Sequence, residues 1–563
     1  MRSGAELVAA GRALAPGRLG TTALLRAHGA ASESHYKRER MARGEVMYHA
    51  HIGLSDWHAT ERALHHVHEA LGERGYRLDR YGLALDRAMG VPAGERDTTM
   101  KETGPRLGDS DWQRLGEAVP VQPHLGDFMI GFPAGLENTL HAVRAGVSTV
   151  GNLGQYLAFD LVGGSNEGEV TETTVQALGV LAALRDHGAI AHSNLDDGPG
   201  MQTTHFGSYV GWAAVELYLV EQLIGARLTH CYGNLINSPV ARAVVHFALD
   251  DIRGRRSIGS MMYGNTVGHV AHDRARNTAV LTQQVMIDIA LQLRRPTGHA
   301  VNPVPLTEAE RIPSAEEIVE AHLLARELEK EVRESADLYD WDRLESMGAA
   351  TARYALEFRD RALALLARDG VDVADAAQLL LALRRTGAAE LERLVNLAPS
   401  PDVARLEPWK SRKVREAATR VRSGMPRLDG IRVVLAVLEV HDVMRDAIAS
   451  ALPAVGAEVV VLPATSSIES VACAALDEDA DALVVGTYNG NALDLAERLA
   501  GAAGTVGYRG RIVMGGVLNQ DFGDDLPVDA TDRIESLGIT CLHDASSLGP
   551  FLATLRDDAR EAG

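Results

Sequence analysis

The run Ile431-Arg-Val-Val-Leu-Ala-Val-Leu438, broken by Glu439-Val440-His441-Asp442, decides the reading of the C-terminal part of this chain. It is apolar, β-branched and too short for a free-standing helix, so it reads as a buried strand. A helical pattern follows from Met444 to Leu452, then a second strand, Ala457-Glu-Val-Val-Val-Leu462. A third, Ala482-Leu-Val-Val485, runs into Gly486-Thr487-Tyr488-Asn489-Gly490, and a fourth, Gly510-Arg-Ile-Val-Met514, into Gly515-Gly516. Strands alternating with helices make a parallel sheet, and polar or glycine residues after strand C-termini mark its ligand-binding edge. Residues 430–563 are therefore expected to form one α/β domain with a pocket at that edge.

The Glu-Val-His-Asp turn, the Thr487-Tyr488-Asn489-Gly490 strand end and the Gly515-Gly516 pair resemble the cobalamin-binding domain of cobalamin-dependent mutases. That family carries Asp-x-His-x-x-Gly, then Ser-x-Leu, then Gly-Gly. The resemblance implies a flavodoxin-like (Rossmann-like) fold with His441 as lower ligand of cobalt. Glu439 becomes its carboxylate partner, and Asp442, Thr487, Tyr488, Gly490, Gly515 and Gly516 further cofactor-binding residues. Imidazole suits the role, because a partner on its second nitrogen fixes the tautomer. Two positions depart from the pattern: Glu439 stands for Asp, and Met444 stands for Gly where the nucleotide tail passes.

The chain has 563 residues, enough for two or three domains. With 56 Lys plus Arg against 76 Asp plus Glu, its formal charge of -20 argues against nucleic-acid or anionic-membrane binding. No apolar run approaches the length of a membrane span. Cys231, Cys473 and Cys541 are too scattered for a disulfide framework or zinc cluster. Residues 1–44 read as an N-terminal helical extension without a signal peptide's apolar region, which points to the cytoplasm.

Between residues 45 and 325 short β-rich runs alternate with helical ones, and each run ends in polar or Gly-Asn chemistry. The endings fall after Val46–His51, Val119–His124, Val147–Val150, Ala189–His192, Leu228–Cys231, Ile258–Met262 and Ala300–Val301, with a further strand expected near Tyr76–Leu85. This pattern predicts a (β/α)8 TIM-type barrel with a polar mouth. Candidate mouth residues are His51, His124, His192 and His230, with Asn152, Asn194, Asn234, Asn265 and Asn302. Imidazoles and amides there suit either loop structure or a neutral, hydroxylated small-molecule substrate.

The layout, with Ala145-Gly-Val-Ser148, Gly198-Pro199 and Glu308-Ala-Glu-Arg-Ile312-Pro313, is similar to the catalytic epsilon chain of glutamate mutase (methylaspartate mutase). The resemblance implies a barrel fused to its cobalamin partner, adenosylcobalamin as cofactor, and a homodimer. Carried over by position, His51 and His124 replace two substrate-binding arginines and Arg87 stands for a third. The family's glutamate falls on Gly151 or Asn152, its tyrosines on Leu157 and Leu161, and its lysine on Val304. Glu308 is retained for the adenosyl group. An arginine-poor pocket leaves a dicarboxylate poorly compensated, so the implied activity is a radical carbon-skeleton mutase acting on another substrate. The catalytic candidates are then Glu308, His51, His124 and Asn152, with Arg87, His192, Asn194 and Asn234 as substrate contacts. The alternatives are glutamate mutase proper, using Arg87, Arg96 or Arg274, and a corrinoid protein for methyl transfer or cobalamin sensing. Residues 326–398 read as a helical connector and 399–429 as a linker with a basic stretch from Lys410 to Arg415.

Overall fold

A computed structural model of the chain describes residues 1–98, 104–159, 166–264, 266, 268–404, 406–439, 442–463, 466–488, 490–522 and 527–561. They form mixed α/β structure in two compact units, Met1–Trp409 and Lys410–Gly563.

In the large unit the parallel strands are β1 (His49–His51), β2 (Arg80–Leu83), β3 (Gln122–Leu125), β4 (Thr149–Val150), β5 (Ile190–Asn194), β6 (Leu228–Cys231), β7 (Met261–Met262) and β8 (Ala300–Val301). Strands β1 to β6 pair in chain order as one curled sheet, and β7 pairs with β8. Single parallel bridges, Tyr232 to Met262 and Tyr48 to Val301, link the two sheets at both ends. The strand expected near Tyr76–Leu85 is β2, second in the order.

Helices return the chain between strands. In helix Trp57–Gly72, Asp56 caps the Ala59 amide at 2.8 Å. Trp57, Thr60, Leu64, Val67 and Leu71 lie buried at helical spacing along one face, while His66 on the other is exposed. Residues 326–398 are helical as expected but belong to the large unit. Helix Trp341–Arg368 packs so closely on helix Phe206–Leu217 that a Cβ on Gly211 would lie 2.6 Å from the Phe358 ring. The last part of that connector is two helices, Ala376–Thr386 and Ala388–Val395, split at Gly387, whose φ is +70°.

The N-terminal edge of the strands is closed by helix Glu33–Ala42. Its Glu33 carboxylate meets Lys37 Nζ at 2.8 Å and Arg80 Nε at 2.7 Å. It also accepts from the Ser148 hydroxyl, and from Thr149 Oγ1 at 3.2 Å. Arg80 Nη1 donates to the Ser260 carbonyl at 2.6 Å, and Lys37 to that of Gly259. All three charged groups are buried. Burial alone would raise Glu33, but Arg80 and Lys37 outweigh it and hold the carboxyl well below its usual range.

The small unit holds β9 (Arg432–Val437), β10 (Glu458–Val461), β11 (Ala482–Thr487), β12 (Arg511–Gly516), β13 (Asn519–Gln520), β14 (Val528–Asp529) and β15 (Thr540–Leu542). Five form an all-parallel sheet in the order β10-β9-β11-β12-β15, and β13 and β14 make an antiparallel pair. Val433, Leu435, Val484 and Val513 of the sheet pack with Ile448, Leu452, Leu548 and Leu552. Helix Trp409–Arg422, inside the stretch expected to be a linker, contributes Val421 to this core. Among the described residues no helix is long and apolar enough to cross a membrane.

Candidate functional site

Strand register brings three of the expected imidazoles together at the C-terminal edge of the large unit's strands. His51, Gly82 and His124 stand side by side on β1, β2 and β3. The His124 ring meets His192 at 4.6 Å and His49 at 5.9 Å, and His51 lies 5.4 Å from Tyr263. Burial lowers His51 to about 4, and burial with the nearby Arg80 lowers His192 to about 3. His49 and His124 are held well below the usual imidazole range, burial again being the largest cause. All four are neutral at physiological pH.

Neutrality makes the hydrogen-bond roles definite. His124 Nδ1 lies 3.2 Å from the Thr149 carbonyl, which only accepts, so Nδ1 carries the proton and Nε2 is a bare acceptor. That Nε2 is buried without a hydrogen-bond partner. It sits 3.3 Å from where a Cβ on Gly126 would be, beside Asp127. His51 Nδ1 and both nitrogens of His49 are likewise buried and unpartnered. The fourth expected imidazole, His230, faces the other way: its Nε2 pairs with Glu216 of helix Phe206–Leu217 at 3.0 Å.

The expected asparagines hold the loops. Asn152 Oδ1 accepts from the Gly154 and Asn194 amides at 2.9 and 2.8 Å, capping helix Leu153–Ala158 and tying β4's loop to β5. Asn194 Oδ1 accepts from the Asp196 amide at 3.1 Å, and its Nδ2 donates to Asp197 at 2.6 Å. Asn234 Nδ2 reaches Asp197 at 3.4 Å, leaving Oδ1 buried and unpartnered. Arg87 opens the short 3-10 turn Arg87–Gly90. Arg96 is committed to the Val91 carbonyl and Asn138 Oδ1, at 3.1 and 2.9 Å. Glu308 lies on an exposed turn after β8, close enough to Tyr263 to raise its phenol. Leu161, Asn265 and His441 lie outside the described residues.

Sequence reading passed over the acids of this edge. Asp127 follows β3 and accepts from Gln155 Nε2 at 2.8 Å. Burial, then the like charge of Asp197, push Asp127 up to about 7. Burial keeps Tyr263 a phenol, as do Glu308, Asp127 and Asp197. The signal was present in Leu125-Gly-Asp127 and Asn194-Leu-Asp-Asp197, both strand endings. Arg242 fixes the loops around them, donating to the Gly233 and Tyr263 carbonyls while paired with buried Asp288.

In the small unit, strand order reverses between β9 and β11, and there the Glu439 carboxylate bridges the two. Thr487 Oγ1 donates to it at 2.6 Å and the Tyr488 amide at 2.9 Å. Gly516 ends β12 with φ +111°, where a Cβ would lie 2.1 Å from the Thr487 carbonyl oxygen. Gly515 is its strand neighbour, and Gly490 has φ +78° beyond β11. Asp442 carries salt bridges to Lys410 at 2.7 Å and Arg445 at 3.2 Å, so the basic stretch has its partner within this unit. Met444 packs against the apolar core. Among the described residues no three His, Cys, Asp or Glu side chains gather to hold a metal ion. No family model and no curated protein matches the chain.

Proposed function

We propose that the chain is an adenosylcobalamin-dependent radical carbon-skeleton mutase, an isomerase acting on a substrate other than glutamate, as a cytoplasmic homodimer. In this reading residues 45–325 are a (β/α)8 barrel and residues 430–563 a flavodoxin-like cobalamin-binding domain. The bridges Tyr232–Met262 and Tyr48–Val301 support closure of the eight strands. The order β10-β9-β11-β12-β15 supports the second assignment, because such sheets bind ligands where strand order reverses.

The observation that carries the reading is Glu439. Its carboxylate is already fixed by Thr487 and Tyr488 at the reversal point, two residues before His441. A cofactor that brings its own cobalt asks one ligand of the protein, so a lone histidine two residues from a fixed carboxylate would fit. His441 would be that ligand and Glu439 would orient its ring. Thr487, Gly515 and Gly516 would line the nucleotide slot, and Met444 packs against the apolar core. When bound, the cofactor supplies radical chemistry through its cobalt–carbon bond. The chain's own residues position and shield: Glu308 would hold ribose hydroxyls, and the buried edge around His51, His124 and His192 excludes water. Neutral imidazoles and paired acids at that edge disfavour a dicarboxylate, and Arg96 is not free to clamp one.

The test is the anaerobic absorbance spectrum of the purified protein with adenosylcobalamin, wild type beside His441→Ala. The expected result is a bound spectrum with the cofactor's own base displaced, altered in the variant. No binding by the wild type would end this reading.

A further inference from the structure

The small unit keeps a hydrogen-bond donor in reserve beside Thr487. Helix Ala492–Val506 follows β11 and begins at Asn491, a residue type well suited to capping its own helix. Asn491 makes no such cap. Gln520 of β13 does so instead, its Oε1 accepting from the Leu493 amide at 3.0 Å and the Asp494 amide at 3.2 Å. Gln520 Nε2 is tied in turn to Asp494 Oδ2 at 2.9 Å and to the Asp521 carbonyl at 3.1 Å. The Asn491 side chain, 2% exposed, is thereby left over. Its Oδ1 stands 3.5 Å from Thr487 Oγ1, and its Nδ2, on the other arm of the amide, is buried without a hydrogen-bond partner. Such a donor costs free energy and calls for an explanation in a native structure.

Donors on either side of it are spent. Thr487 has one hydroxyl hydrogen and gives it to Glu439 at 2.6 Å, and the Tyr488 amide goes to the same carboxylate at 2.9 Å. The first-turn amides of the helix, where a phosphate would sit, are held by Gln520. Asn491 therefore offers a neutral donor at the end of β11, which suits one uncharged acceptor.

Cobalamin brings such an acceptor. Once a protein histidine takes the lower face of cobalt, the base on the nucleotide tail is displaced, and its ring nitrogen regains a free lone pair. Buried in a protein, that lone pair needs a donor. We infer that Asn491 Nδ2 donates to this ring nitrogen and is the contact by which the chain recognises the displaced base. The inference rests on the mutase reading and adds to it a residue that holds the tail.

Adenosylcobinamide, which has the corrin ring and adenosyl group but no base, isolates the contact. Equilibrium dialysis of the full chain would compare it with adenosylcobalamin, for wild type, Asn491→Asp and Asn491→Ala, with thermal melts to verify folding. Asn491→Asp keeps the shape and replaces the donor by an acceptor. The wild type is expected to bind adenosylcobalamin more tightly than adenosylcobinamide. Both variants should bind adenosylcobalamin about tenfold more weakly or worse, as for a buried acceptor left unsatisfied, and adenosylcobinamide as the wild type does. An equal loss for both cofactors, or no loss for either, would overturn the inference and leave the mutase reading standing. So would a wild type that binds the two cofactors equally. A wild type that binds neither would end the mutase reading, and the inference with it.

Discussion

The two edges of the large unit's strands differ in one respect that separates stability from function. At the N-terminal edge every charge of the Glu33, Lys37 and Arg80 cluster meets an opposite charge or a backbone carbonyl. At the C-terminal edge His51, His124 and Asn234 keep buried polar atoms without partners. Polar groups buried without partners cost free energy; those of Glu33 and Arg80 are offset by their ion pair, whereas those of His51, His124 and Asn234 are not, which is the ground for proposing the C-terminal edge as the one that receives a ligand.

The comparison is broken most forcefully at the N-terminal edge. Glu33→Ala strands two buried cations and is expected to destabilise the large unit by about 3–5 kcal/mol. Denaturant unfolding followed by tryptophan fluorescence, all five tryptophans lying in that unit, would register this, and a loss under about 1 kcal/mol would mean the cluster is solvated.

Next in size is acidification. His51 and His192 fall from an ordinary 6.5 to about 4 and about 3 in the fold, so the unfolded chain binds protons first as pH drops. Their contribution is complete above pH 6.5 and is lost as pH falls from there toward the folded values. The slope approaches about 1.4 kcal/mol per pH unit for each. Melting temperature measured from pH 7.5 to 5 should decline below 6.5, and less steeply in His192→Gln.

A smaller effect is expected for Thr487→Val in the small unit. It removes one hydrogen bond from Glu439, for about 1 kcal/mol, and on the proposed reading also weakens cobalamin retention. An equilibrium dialysis value equal to wild type would detach Thr487 from the cofactor.

Least of all, Asn234→Ala should cost about 0.5 kcal/mol, because its Oδ1 has no partner to lose and its Nδ2 gives up only the 3.4 Å contact to Asp197. A larger loss would mean that Asn234 Oδ1 is hydrogen-bonded in solution.

Much of the architecture was legible because strand endings repeat. His51, His124 and His192 were found from those endings, and strand register then gathered them. His230 was not separable from them, because facing in or out depends on register, and a one-residue shift reverses every side chain. The Glu33 cluster was invisible for another reason. Glu33-Ser-His-Tyr-Lys-Arg-Glu-Arg40 reads as a solvated helix, and only partners far along the chain make its charges buried. Asp127 and Asp197 follow β3 and β5 in the sequence, but what stands near them is tertiary. Glu439 was singled out by its neighbour His441, whereas its hydrogen bonds to Thr487 and Tyr488 required the sheet.

The plug at the N-terminal edge also bears on how the chain is made. Glu33 and Ser148 are 115 residues apart, and Lys37 and Gly259 are 222 apart. Helix Glu33–Ala42 is therefore synthesised long before the carbonyls and hydroxyls that receive it. An apolar plug would sit exposed through that interval, inviting association between nascent chains. A charged one is content in water until Gly259 and Ser260 emerge, and only then exchanges its hydration for the interior.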